Sequence, residues 1–367
     1  VEISFVLAVY NKLELTKECY KHLRNVYPNE HLIISSGGSN DGTKEWLQSL
    51  DDDNLTYVHD DDRLSFSDTY NNGITLVDTE KLVLIHNDMV IGEGFLEAID
   101  RLLTENMILS YTTVEPPIFA DHKRPGKVII DLGRNFDDFD EFNFKNYVQQ
   151  HKDSNDLYEG AVFFMSGYKK TFIDIGGFDG FSFNPCFCED DDFLIRAKLK
   201  GYELKTCNSA ITYHFVSLTS RFNDEIKNNK EQIEINSNRN FIRKWGLTIG
   251  TFNEMDYQKT NNFDYEKIRI GLSTNDANAL YVLEPFFDEI DFNGDPTRYI
   301  KKEQLYTNYD LNLKFTPSGF VSAMVYQTKP FTKEDINVIS KIRLSIPILE
   351  DGDYEIGDNK ITIKKGN

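Results

Sequence analysis

The amino half of the chain repeats one pattern: a short, unbroken apolar run, a polar loop, then a stretch with helical periodicity. Ile3–Val9 is the first run, continuous rather than alternating, as expected of a strand buried on both faces. Leu15, Cys19 and Leu23 follow at four-residue spacing, one face of a helix that Pro28 ends. Leu32–Ile34 is the second run, opening into Ser35–Gly42, a loop of turn formers and helix caps. Trp46, Leu47 and Leu50 mark another helix, Leu55–Val58 a short strand and Tyr70–Leu76 a further helix. Leu82–Ile85 is the fourth strand, ending at His86-Asn87-Asp88. This β-α-β-α-β order predicts an α/β fold, a mostly parallel sheet with helices on both faces. Such sheets bind ligands beyond the carboxyl ends of their strands, where the polar loops fall.

Residues 110–158 read as less regular. Pro116-Pro117 and the acidic stretch Asp137–Glu141 suggest a long excursion around the core, and Gly160–Met165 is apolar again. Polar residues around Asn261-Asn262 suggest a boundary near 250–262. It separates a domain over 1–250 from a small α+β or β-rich one over 262–367, with alternating segments at Leu311–Phe315 and Ile361–Ile363. Asp291–Asp295 loosely resembles a calcium loop, but its ligand spacing and closing residue are wrong, so a turn is expected. With 60 acidic and 40 basic residues the formal charge is -20, which argues against duplex DNA or an anionic membrane as a partner. Four cysteines without zinc-site spacing suggest reduced thiols and a cytoplasmic setting. Ile3–Val9 is too short for a signal peptide, and no apolar run approaches the roughly 20 residues of a membrane helix.

Three places could carry chemistry. Asn87-Asp88 ends a buried strand; a carboxylate there either caps a turn or holds a divalent cation that also binds a diphosphate. Glu189-Asp190-Asp191-Asp192 precedes the apolar Phe193, Leu194 and Ile195. An acidic helix start suits the macrodipole, but four adjacent carboxylates repel, and crowding of this kind raises a pKa and can make a base. Upstream, Gly176–Phe181 permits close backbone approach. His214 lies in a strand-like stretch and is either a packed residue or, beside Asp88, part of a mixed nitrogen–oxygen metal site.

The order of motifs resembles the family 2 glycosyltransferases of GT-A (nucleotide-diphospho-sugar transferase) fold. The motifs are Ser4–Asn11, Ser36–Thr43, Asn71-Asn72-Gly73, His86-Asn87-Asp88, Gly176–Asp179, Glu189–Asp192 with Arg196, and His214. The likeness runs over about residues 1–247 and closes on Phe241–Gly246. It implies a metal-dependent, inverting transfer of a sugar from a nucleotide-sugar, a UDP-sugar first, to a glycan or other hydroxyl acceptor. Mn²⁺ or Mg²⁺ would be the cofactor. It places Val9, Tyr10, Asn11, Ser36, Asp41, Asn71, His86, Asn87 and Asp88 around the donor nucleotide, with Asp88 and His214 on the metal. Asp190, with Glu189, would be the catalytic base, and Gly177, Phe178 and Asp179 would border the acceptor. Three departures stand out: Ser36 replaces an Asp that reads the base, Tyr70 an Arg, and His86 the first acid of the metal motif.

Two other classes remain in view. A sugar-nucleotide nucleotidyltransferase would show a Gly-rich basic loop after the first strand, where this chain has Ala8–Lys12. A non-catalytic carbohydrate-binding protein would not need Asp88, Asp190 and His214. A nucleic-acid acceptor is disfavoured by the charge. The aromatic-rich carboxyl part is a candidate acceptor platform or homo-oligomer contact.

Overall fold

The computed structural model describes residues 2–121, 123–216, 224–254, 268–319 and 321–365. The chain divides into two compact units, 1–180 with 184–233, and 181–183 with 234–367. The change of unit falls within the helix Asp224–Trp245. The expected boundary at 250–262 lies largely outside the described residues.

The first unit is built on a 10-stranded sheet. Its strands are β1 Ile3–Val9, β2 Leu32–Gly37, β3 Leu55–Asp60, β4 Lys81–Ile85, β5 Met89–Ile91, β6 Met107–Glu115, β7 Lys127–Ile129, β8 Leu157–Glu159, β9 Met165–Tyr168 and β10 Glu203–His214. The order is β3-β2-β1-β4-β9-β6-β10-β5, with β7 on β6 and β8 on β10. β3, β2, β1 and β4 are mutually parallel, so their carboxyl ends share one edge. Every residue of β2 is buried and β1 is nearly so, as two-sided burial requires. The helix Phe66–Thr75 packs on β1 and β2. Gly73 lets it approach, since a Cβ there would lie 2.7 Å from Val6 Cγ1.

Two expectations are corrected. Residues 110–115 are not an excursion: they complete β6, nine residues all buried in mid-sheet. Their hydroxyls hid the strand: Ser110 Oγ donates to Val162 O and Thr112 Oγ1 to Cys207 O, both at 2.8 Å, and Thr113 Oγ1 to Glu115 Oε1 at 2.9 Å. A helix, Glu141–His151, then occupies the supposed loop. Leu311–Phe315 alternates in sequence yet forms a short helix, Leu311–Lys314, that buries Leu311 and leaves Leu313 69% exposed.

β10 carries a bulge that matters below. Thr206 pairs with Ser110 and Ile211 with Thr112, so five steps along β10 match two along β6 and three residues are extra.

The second unit has its own sheet, β12-β11-β13-β15-β14, from β11 Ile270–Thr274, β12 Glu289–Phe292, β13 Ala323–Tyr326, β14 Gly352–Ile356 and β15 Asn359–Ile363. β12, β11 and β13 are parallel, with helices Ala277–Leu283, Thr297–Glu303 and Lys333–Ile339 interleaved in the chain. Residues 291–295 finish β12 and turn, and Asp295 Oδ1 accepts from Thr297 N at 2.9 Å, opening the next helix. Beside the apolar core lies a cluster of buried charge. Glu284, fully buried, accepts from Arg243 Nη2 at 2.6 Å, Lys314 Nζ at 2.8 Å and Tyr299 Oη at 3.0 Å. Arg243 also reaches Glu303, which Arg239 Nε meets at 2.6 Å.

Candidate active site

Strand register brings three distant segments together. β10 pairs antiparallel with β5, His214 opposite Met89, and Phe215 N donates to Asp88 O at 3.0 Å. β10 also runs parallel to β6, Tyr213 beside Val114, which sets His214 next to Glu115. His86 ends the same edge after β4. The ligand atoms of His86, Asp88 and His214 all lie within 4.8 Å of one another. His214 Nε2 is 3.4 Å and His86 Nδ1 4.0 Å from Asp88 Oδ1.

The electrostatics differ for the two imidazoles. His86 is walled by Phe163, Phe164 and Phe66, with ring centroids at 4.9, 5.4 and 5.9 Å. That burial lowers its pKa to about 4, so the ring is neutral at pH 7. Burial alone would also lower His214, but Asp88 and Glu115 outweigh it and raise its pKa to about 9. Glu115 is held low, at about 2: burial opposes this, but His214 and Arg124 prevail.

Two imidazoles and one carboxylate on converging strand ends suit a divalent transition-metal ion. The His86 atom turned toward Asp88 is Nδ1, and its Nε2 is buried with no hydrogen-bond partner among the described residues. The donor set therefore fits the expected cation. Asn87 points elsewhere, its Nδ2 donating to Thr16 Oγ1 at 3.1 Å.

The loops after β1 and β2 are laced together. Asn11 N donates to Ser39 Oγ and Asn40 N to Asn11 Oδ1, both at 2.8 Å. Asp41 Oδ2 accepts from Leu13 N at 2.8 Å, and its Oδ1 accepts from Thr43 Oγ1 at 2.6 Å. Asp41 thus serves the amino ends of two helices, Leu13–Val26 and Thr43–Ser49. Ser36 is buried, its hydroxyl 3.0 Å from both His59 Nδ1 and Ser39 Oγ. The Arg63 guanidinium lies over the Tyr10 ring at 4.7 Å.

The acidic run opens the helix Glu189–Leu199. Its four carboxylates do different things. Asp192, wholly buried, pairs with Arg196 Nη2 at 2.7 Å. Glu189 is buried and its pKa is raised, first by burial, then by the Asp190 charge. Asp190, half-buried, is raised by burial. Asp191 is pushed up to about 7 by burial and by Asp190 and Asp192. A carboxylate that releases its proton near neutrality can serve as a base.

Arg196 also donates to Ile175 O at 2.6 Å and Gly177 O at 2.7 Å. From the other side Asn71 brackets Phe178, donating to its O at 2.8 Å and accepting from its N at 2.9 Å. Gly177 (φ 67°) has no room for a Cβ, which would lie 2.6 Å from Asn71 Oδ1. The Asn71 amide, expected beside the nucleotide, is thus spent on this turn. The Phe178 ring is core, 3% exposed and 4.8 Å from the Phe193 ring. Gly177 and Asp179, both half-buried, remain as the acceptor-side candidates. Asp190 stands outside the His86–Asp88–His214 cluster.

The sequence reading missed Glu115, Arg124, His59 and Arg63. Glu115 left one signal, a carboxylate at the end of a strand and directly before Pro116-Pro117.

Fold and site together define an α/β protein with a candidate metal site at a sheet edge. Residues 4–175, a little under half of the chain, match the family model described as "Glycosyl transferase family 2". His86 and Asp88 fall inside the match; Glu189, Asp190 and His214 lie beyond it. Among solved structures, the chain is similar to the mannosyltransferase PcManGT from Pyrobaculum calidifontis in complex with GDP-Man and Mn²⁺ (16% identity over 72% of this chain and 70% of that one, TM-score 0.44). It is also similar to GalNAc-T7 with UDP, GalNAc and Mn²⁺ (7% identity, 72% and 55%, TM-score 0.44). A third is S. aureus TarS (12% identity, 71% and 45%, TM-score 0.42). The chain therefore spans about half the length of the last two. No curated protein matches the sequence. Among the described residues no helix is long and apolar enough to cross a membrane.

Proposed function

We propose that the chain transfers a sugar, with inversion, from a nucleoside-diphosphate sugar to an acceptor hydroxyl, and that His86, Asp88 and His214 hold a divalent cation at the donor. The observation that carries this reading is the convergence of those three side chains at one sheet edge, two of them within the segment that matches the family 2 model. When bound, the cation neutralises charge on the departing diphosphate. Two nitrogen ligands favour Mn²⁺ over Mg²⁺, which prefers oxygen and retains its waters.

The protein's own residues do the rest. The laced loops around Tyr10, Asn11, Ser36 and Asp41 are the donor-nucleotide side, and a UDP-sugar is the first donor to test. Asp190 accepts the proton of the acceptor hydroxyl as its oxygen attacks the anomeric carbon. The bond to the diphosphate breaks on the opposite face, and one displacement inverts the centre. A single base suffices, unlike the paired carboxylates of glycosidases. Gly177 and Asp179 would border the acceptor on a turn fixed by Asn71 and Arg196.

A thermal-shift screen of nucleotide-sugars with Mn²⁺ or Mg²⁺ tests this. At a hundred times its Kd a ligand stabilises by about 2.7 kcal/mol. The expected result is a Mn²⁺-dependent rise with one nucleotide-sugar, a smaller rise with Mg²⁺, and none of the metal-dependent part in Asp88→Ala. An Asp88→Ala protein that keeps the full Mn²⁺ response would move the cation elsewhere.

A further inference from the structure

We propose that Glu115 is a positioning residue for His214: it fixes the tautomer and ring orientation that turn Nε2 toward a cation held with Asp88 and His86. The inference rests on the metal-dependent reading above and extends it to a side chain outside the ligand set.

The argument begins with donor and acceptor roles. His214 Nδ1 lies 3.0 Å from Glu115 Oε1, and both residues are buried. An ionised carboxylate only accepts, so a ring hydrogen sits on Nδ1, and a bound cation would take the place of the second ring proton, on Nε2. Nε2 is the atom that faces Asp88 Oδ1, at 3.4 Å. Metal-bound histidines are commonly oriented in this way by a carboxylate on the second nitrogen.

Glu115 is itself held rigidly. Thr113 Oγ1 donates to its Oε1 at 2.9 Å, Arg124 Nη2 donates to the same oxygen, and Lys127 Nζ stands 3.6 Å from Oε2. Its backbone is fixed too: it ends β6, and Ile130 N donates to its carbonyl at 3.0 Å. Arg124 is braced in turn on the Thr113 hydroxyl at 2.6 Å and over the Phe164 ring at 4.6 Å. Two cations beside the carboxylate absorb its charge. Glu115 therefore supplies direction more than extra negative charge, and it is not among the groups that converge on the cation site.

Two substitutions separate direction from charge. Glu115→Gln keeps length and an acceptor oxygen for Nδ1 but discards the charge. Glu115→Asp keeps the charge but withdraws the oxygen by one methylene, while the long Arg124 side chain can follow it. Mn²⁺ affinity of the full chain is measured by titration calorimetry, with the EPR spectrum of bound Mn²⁺ as a reporter of its ligands. Folding is checked by thermal midpoints in EDTA. The expected result is a loss of about 10–100-fold in Glu115→Asp with an altered spectrum, and an affinity close to the unaltered protein in Glu115→Gln. A loss in Glu115→Asp no greater than that in Glu115→Gln overturns the proposal. An unaltered chain that binds no Mn²⁺ overturns the metal reading along with it. Sugar transfer is not the readout, so the outcome does not depend on having the right donor or acceptor.

Discussion

Asp190→Asn is expected to slow sugar transfer by about 10²–10⁴-fold, the usual worth of a general base, while Mn²⁺ and donor binding stay near normal. The reason lies in how the four adjacent carboxylates divide their work. Asp192 is committed to Arg196 and through it to the Gly177 turn, so removing it should disturb structure first. Glu189 is buried. Asp190 and Asp191 are the half-buried members, with pKa values raised toward the range where a base is useful. Single-turnover transfer, measured beside equilibrium donor binding, separates the chemical step from affinity. If Asp190→Asn turns over normally and Asp191→Asn does not, the base is one residue further along the helix.

Glu284→Ala is expected to cost the carboxyl-terminal unit about 3–5 kcal/mol. The loss is not that of one favourable contact. Arg243 and Lys314 remain buried without the carboxylate that both reach, and uncompensated buried charge is expensive. The chain has two tryptophans, Trp46 in the first unit and Trp245 in the second. A Trp46→Phe background therefore lets Trp245 fluorescence report urea unfolding of the second unit. A midpoint unmoved by Glu284→Ala would show that the cluster contributes nothing.

The same residue predicts the acid limb. Burial would raise the Glu284 pKa, but Lys314 and Arg243 outweigh it and hold it at about 2. An unfolded glutamate titrates near 4.3. A lowered folded pKa means the stabilisation is complete above about pH 4.3 and fades as the pH falls toward 2. The gap corresponds to about 3 kcal/mol.

The elements legible in the sequence were those whose burial leaves a run. β1, β2 and β4 are continuous apolar stretches because both faces of a parallel sheet are covered, and their polar endings mark the working edge. β6 was illegible because serine and threonine replace aliphatic residues there, Ser110 and Thr112 spending their hydroxyls on backbone that only the folded sheet brings near. Leu311–Phe315 misled in the other direction: over five residues, period two and a helical i, i+4 pair look alike. The candidate metal site was half legible. Asp88 announces itself after a strand, but Glu115 acts on a residue 99 positions later, through a pairing register that no local pattern encodes.

The bulge in β10 turns chain length into a working dimension of the centre. Without its three additional residues, regular pairing would bring Ile211 to the place His214 occupies. Successive side chains of a strand alternate between faces. Loss of one residue between 206 and 211 would therefore rotate the imidazole out of the cluster, although every apolar residue of the strand survived. Homologous chains that vary in length here should prove to have relocated or abandoned this imidazole, however similar their composition.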